Sequence, residues 1–166
     1  MLVLGIDPGT ATTGFGLVET VNNKNKLIHY GIINTKASTD MPVRLCQISK
    51  KLNEIITTYK PDAVAIEELY YFKNAKTVIT VAQSRGVIMM TAAMAGLEIA
   101  EYTPLQVKQS VVGYGKAEKK QVQLMVQAIL KMETLPKPDD AADALAIAIC
   151  HIHSHRMGKI YKGGLK

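Results

Sequence analysis

Two short apolar runs, Leu2–Asp7 and Asp62–Glu67, each read as a buried β-strand, and each ends in a carboxylate. The first is stopped by Pro8-Gly9, a turn pair that cannot continue a strand. In open α/β sheets, sites lie at the carboxyl ends of strands, so Asp7 and Glu67 are expected to face one another across such an edge. Two positions back, on the same strand faces, stand Gly5 and Ala65, small residues expected to leave space around the acids.

The remaining pattern supplies the rest of an α/β sheet. Thr13–Glu19 and Leu27–Thr35 read as strands joined through the polar run Asn22–Lys26. Leu45, Ile48, Leu52, Ile55, Ile56 and Tyr59 recur at helical spacing and predict a helix from about Pro42 to Tyr59, with Asp40 as its N-cap. Helices are also expected over Ala75–Ala95, from Thr103-Pro104 to Val112, over Glu118–Lys131 and over Asp139–His155, with a strand at Leu97–Tyr102. The order predicts a five-stranded mixed sheet, three antiparallel strands and then parallel ones, with helices on both faces. With 166 residues, one domain over 1–158 and a flexible basic tail over 159–166 account for the chain.

Charge narrows the function classes. Twenty Lys+Arg against 14 Asp+Glu give a net charge of +6, which favours a polyanionic partner. Basic residues cluster between Gly113 and Gln123 (Lys116, Lys119, Lys120), and no acid follows Asp143. Cys46 and Cys150 are far apart, in no metal-binding spacing, and read as two buried thiols of a reducing compartment. The longest apolar stretch, Val87–Leu97, is too short to span a bilayer, and no signal-peptide pattern opens the sequence, so a soluble cytoplasmic protein is expected.

Clustered carboxylates on rigid elements suit hard divalent cations, and two such ions can drive phosphodiester hydrolysis. Asp140 and Asp143, three apart near the start of the last helix, share a face and offer a second pair. Asp139 and Asp143, four apart, also share one. Asp139 after Pro138 reads as an N-cap, and an acid in the first turn at Asp140 is ordinary helix chemistry. On spacing alone the second pair stays open. The turn Gly5-Ile6-Asp7-Pro8-Gly9-Thr10 is also similar to the phosphate-binding turn of actin-like ATPases, whose two domains 166 residues leave no room for.

Several segments in order carry a more specific likeness: Gly5–Gly9 with Thr13–Gly16, Ala65–Glu68, Gln83–Gly86, Gln106–Gln109 leading to Val111–Gly113, and Asp140–Ala146. Together they resemble the RuvC family of Holliday-junction resolvases. The resemblance implies a ribonuclease-H-like fold and a homodimer that nicks two opposing strands of a four-way DNA junction symmetrically. It implies two Mg²⁺ ions per site, with Mn²⁺ as a substitute, and a branch-migration complex of the RuvA and RuvB type as partner. It assigns catalysis and metal binding to Asp7, Glu67, Asp140 and Asp143, selecting Asp140 over Asp139. It assigns DNA contact to Lys108 and Lys119, with Lys116 and Lys120 as further candidates, and base stacking to Tyr70. The rivals are a junction-binding protein without nuclease activity, a small ATPase, and a nuclease for RNA–DNA hybrids.

Two features outside those segments carry expectations of their own. His151, His153 and His155 are read as a basic, DNA-facing helix end rather than a zinc site. Met89, Met90 and Met94, on a helix apolar nearly all round, are the first choice for a dimer interface.

Overall fold

The structure is a computed structural model that describes residues 1–69 and 75–163. Among the described residues it has five strands, β1 (Leu2–Asp7), β2 (Thr12–Val21), β3 (Lys24–Asn34), β4 (Ala63–Glu67) and β5 (Glu98–Tyr102). Five helices join them: α1 (Met41–Tyr59), α2 (Ala75–Met94), α3 (Pro104–Val112), α4 (Lys119–Leu130) and α5 (Asp139–Gly163). The sheet order is β3-β2-β1-β4-β5. β1, β2 and β3 pair antiparallel, whereas β4 runs parallel to β1 and β5 parallel to β4. This is the expected mixed sheet.

Strand alternation divides the core in two. Leu4, Ile6, Phe15, Leu17, Val64 and Ile66 point to one face and pack with Ile48 and Leu52 of α1 and Ile88 and Ala92 of α2. Val3, Val18 and Ala65 point to the other, against α3, α4 and α5. Asp7 and Glu67 share the parity of Val3 and Ala65, so they lie on the α5 side.

That face of β1 and β2 is stripped of side chains by Gly5, Gly14 and Gly16, and α5 rests almost on the bare backbone. A Cβ on Gly5 would lie 2.1 Å from the Ala144 carbonyl oxygen, and one on Gly14 would lie 1.9 Å from that of Asp140. Gly5 therefore leaves room for a helix rather than for the carboxylates. Ala141, Ala144 and Ala148 make this close contact, and Ala142 and Ala146 are buried as well.

Element ends differ from expectation at the β2–β3 connection and at the end of α5. The β2–β3 connection is only Asn22-Asn23, both with positive φ (50° and 63°), as a two-residue hairpin turn requires. Residues 24–26 pair with Val21, Thr20 and Glu19 instead of belonging to the turn. Helix α5 continues past His155 to Gly163. Of the two thiols, Cys150 is buried but Cys46 is exposed, lining the groove between α1 and α2. Among the described residues no helix is long and apolar enough to cross a membrane.

Candidate active site and its basic flanks

Asp7 and Glu67 end the neighbouring parallel strands β1 and β4, and α5 begins over the same sheet edge with Asp140 and Asp143. The close seating of α5 on Gly14 brings the helical pair to the strand pair. Burial, then the charges of Glu67, Asp143 and Asp140, lifts the Asp7 carboxyl to about 8. Burial, then Asp143, lifts Glu67 to about 7. Asp143 is raised as well, chiefly by burial. These are acids held together against their own repulsion, an arrangement that favours a cation.

The cation in the structure is a lysine. Lys119 Nζ lies 2.9 Å from Asp143 Oδ2 and 3.5 Å from Asp139 Oδ2. Its charge also lowers Asp7 and Glu67. Desolvation pulls the Lys119 ammonium down, but Asp143 and Asp139 outweigh it and its proton is held more tightly than usual. Lys108 lies on the same flank and lines a small cleft with Glu67, Lys119 and Asp143. A capping box at Thr103 and Gln106 fixes the start of α3, the helix that carries Lys108.

Lys116 and Lys120 are exposed, and among the described residues neither contacts the acids. Tyr70, with Tyr71 and Phe72, lies outside the described residues. The expectation that it stacks on a base therefore has no structural counterpart here.

Asp139 is not a cap. It is the first residue of α5, while the carbonyl of Pro138 receives the first helical N–H groups, from Ala141 and Ala142. Its carboxylate is exposed, accepts a 2.8 Å bond from Gln123 Nε2 and faces Lys119. It stands beside the site as a tether to α4.

Among the described residues no three Asp, Glu, His or Cys side chains are drawn close enough to form a ready-made ion shell. The donor chemistry nevertheless fits a hard divalent ion: four carboxylates, three with raised proton affinity, and an ammonium standing in as counter-charge.

Residues 3–151 match the family described as crossover junction endodeoxyribonuclease RuvC. A protein of that name from Syntrophomonas wolfei is 67% identical over 157 residues, which is 95% of this chain and 91% of the relative. The chain belongs to the RuvC family. A second RuvC, from Caldanaerobacter subterraneus, is 57% identical over 95% of both chains. The structure of Thermus thermophilus RuvC in complex with Holliday junction substrate superposes with a TM-score of 0.90 at 36% identity, covering 95% of this chain and 96% of that one. The yeast mitochondrial Holliday junction resolvase Ydc2, at 15% identity and a TM-score of 0.72, shares the fold.

Within this RuvC fold, three parts of the site escaped sequence reasoning. The Lys119–Asp143 pair joins residues 24 apart. Arg85 of α2 donates from Nε to the Glu67 carbonyl at 3.3 Å and pairs with Glu101, bracing the end of β4. Ser84, fully buried, lies 3.1 Å from Thr10 Oγ1 and braces the turn after Asp7. The Gln83–Gly86 segment thus holds both strand ends from behind.

Two of the α5 histidines, His151 and His153, are engaged within the fold rather than standing free at the helix end. His151 is buried, bonds Tyr102 at 2.9 Å, and is kept below its ordinary value chiefly by desolvation. His153 Nδ1 meets Ser110 of α3. His155 stacks on His151, and Arg156 bonds Thr20 and Asn25 near the β2–β3 hairpin. Fifteen residues of helix separate His155 from Asp140, about 22 Å, so this end lies across the sheet from the carboxylates.

Proposed function

We propose that this chain resolves four-way DNA junctions by hydrolysis at Asp7, Glu67, Asp140 and Asp143, cutting two opposing strands in paired symmetric nicks. The observation that carries the reading is the convergence of these four acids at one sheet edge, where burial and mutual repulsion raise Asp7 to about 8. Such a cluster is costly to a fold unless a cation or a reaction uses it.

Asp7, Glu67, Asp140 and Asp143 would hold two Mg²⁺ ions, with Mn²⁺ able to substitute. When bound, the ions supply an activated water and charge stabilisation at the phosphate and the leaving 3′-oxygen, so that 5′-phosphate and 3′-hydroxyl ends result. The chain's own residues do the positioning. α5, seated on Gly5, Gly14 and Gly16, holds Asp140 and Asp143 over the strand ends. Arg85 fixes the carbonyl of Glu67, keeping that carboxylate's backbone still. Lys119 neutralises Asp143 in the absence of a metal; a cation held by that carboxylate would free the ammonium for a DNA phosphate, and Lys108 would grip the same strand beside Glu67.

Two symmetric cuts call for two sites, and the homodimer suggested by the family likeness would supply them. The groove between α1 and α2, lined by Leu45, Val87, Met90 and Met94, is the apolar surface that suits it; Met90 and Met94 are 51% and 81% exposed. Met89, by contrast, packs into the core. A cytoplasmic location and a branch-migration complex of the RuvA and RuvB type as partner complete the reading.

The assay is incubation with Mg²⁺ and end-labelled four-way junction, plain duplex or RNA–DNA hybrid. Cleavage confined to the junction supports the reading. Equal cleavage of the hybrid favours a general ribonuclease-H-like enzyme, and binding without nicks favours a junction-binding protein.

A further inference from the structure

Lys108 and Lys119 grip only one flank of the carboxylates. On the other flank lies a second cleft, of about 450 Å³, formed by the turn after β1, the first turns of α1 and α2, and the start of α5. Gly9, Thr10, Thr12, Arg44 and Asp140 line it.

This cleft is held rigidly. Arg44 Nε donates to Thr35 Oγ1 at 2.8 Å, and that hydroxyl donates to the Thr10 carbonyl at 2.6 Å. Thr13 Oγ1 donates to the Gly9 carbonyl at 2.7 Å, and the Thr35 N–H to that of Ala11 at 2.9 Å. A Cβ on Gly9 would lie 2.0 Å from the Thr12 carbonyl oxygen, so the tight turn needs glycine. One edge of the Arg44 guanidinium is thereby fixed, and its Nη groups have no partner among the described residues. Arg44 forms no ion pair with Asp140, although both line the cleft. A half-buried guanidinium oriented by a neutral hydroxyl, in a cleft with one carboxylate it does not pair with, suits an incoming tetrahedral anion. The Asp140 carboxylate at the rim repels a free anion. A phosphate in a polymer gripped elsewhere overcomes that repulsion, because the Lys108 flank holds the same chain.

We propose that this cleft binds a phosphodiester of the DNA strand being cut, one or two nucleotides from the scissile bond, with Arg44 as its cation. The strand then crosses the carboxylates between two basic grips, Lys108 and Lys119 on one side and Arg44 on the other. The proposal rests on the carboxylate cluster being the cutting centre.

The test places single neutral methylphosphonates on each side of the mapped cut in a four-way junction. Single-turnover cleavage with Mg²⁺ is compared for the full-length wild-type protein, Arg44→Gln, Arg44→Lys and Thr12→Val, and junction binding without metal is titrated against salt. On one side of the cut, one or two methylphosphonates should slow the wild type by roughly tenfold. Arg44→Gln should be slow already and lose no more at those positions, and Arg44→Lys should fall between. The salt slope of binding should drop by about one unit in Arg44→Gln. If Arg44→Gln unfolds, Thr12→Val carries the test through reduced interference at the same positions. Wild-type nicking with full interference and an unchanged salt slope in folded Arg44 and Thr12 variants would overturn the site alone. A wild type that never nicks the unmodified junction would overturn the nuclease reading and this site with it.

Discussion

Lys119 Nζ sits 2.9 Å from Asp143 Oδ2, so the carboxylate cluster already contains a cation, supplied by the N-terminus of α4. Metal loading must displace or share it. Lys119→Met should therefore bind Mn²⁺ more tightly in the absence of DNA, by roughly fivefold or about 1 kcal/mol, as read by calorimetry. Because the pair is partly exposed, metal-free stability should change by only about 0.5 kcal/mol. Weaker Mn²⁺ binding in the variant would show that the lysine supports the ion rather than competes with it.

Proton linkage gives a second expectation. Asp7 moves from 3.8 to about 8 and Glu67 from 4.5 to about 7 on folding, so the folded state binds more protons than the unfolded one across that range. The sign follows: metal-free stability is undiminished below about pH 4 and falls as pH rises toward 8. Asp7→Asn should flatten this fall and be more stable than wild type at pH 8 by on the order of 2 kcal/mol. Urea denaturation with chelator at pH 5 and pH 8 measures both. A wild type equally stable at the two values would refute the crowding of the acids.

The seating of α5 is tested at a glycine. Gly14→Ala would drive a Cβ against the Asp140 carbonyl and should cost about 3 kcal/mol, with cleavage lost even at temperatures where the variant is folded. Gly86→Ala, on α2 with nothing within 4 Å of the added carbon, is the control and should be near neutral. Comparable stability and activity for both variants would dissociate helix seating from the site.

How far the sequence alone reached follows from the range of each interaction. A short apolar run and the Pro8-Gly9 stop mark the bounds of β1, and the Thr103-Pro104 cap marks the start of α3, because both signals are local. The polar run at Asn22–Lys26 was over-read as a turn: two asparagines with positive φ suffice, and the lysines pair as strand. Gly5 was tied to space for the acids, whereas the helix it admits lies about 140 residues later. Spacing left Asp139 and Asp140 unresolved, since both share a face with Asp143 to within a residue. The difference lies in what each meets, the Gln123 and Lys119 side chains for Asp139 and the Gly14 strand for Asp140. Alternating histidines near a helix end carry no record of their tertiary partners, Tyr102 for His151 and Ser110 for His153.

The α1–α2 groove yields a prediction about assembly. Met90→Glu should convert a dimer to a monomer in light scattering, while leaving the fold intact, since the side chain is half exposed. Junctions should then receive single rather than paired nicks. A variant that stays dimeric would move the interface elsewhere.

The most direct test is Asp7→Asn with a mobile four-way junction and Mg²⁺, read simultaneously for nicking and binding. The wild type should give paired nicks at symmetric positions, and the variant none, with junction affinity essentially retained. Full nicking by Asp7→Asn would contradict the assignment of the carboxylate cluster as the cutting centre.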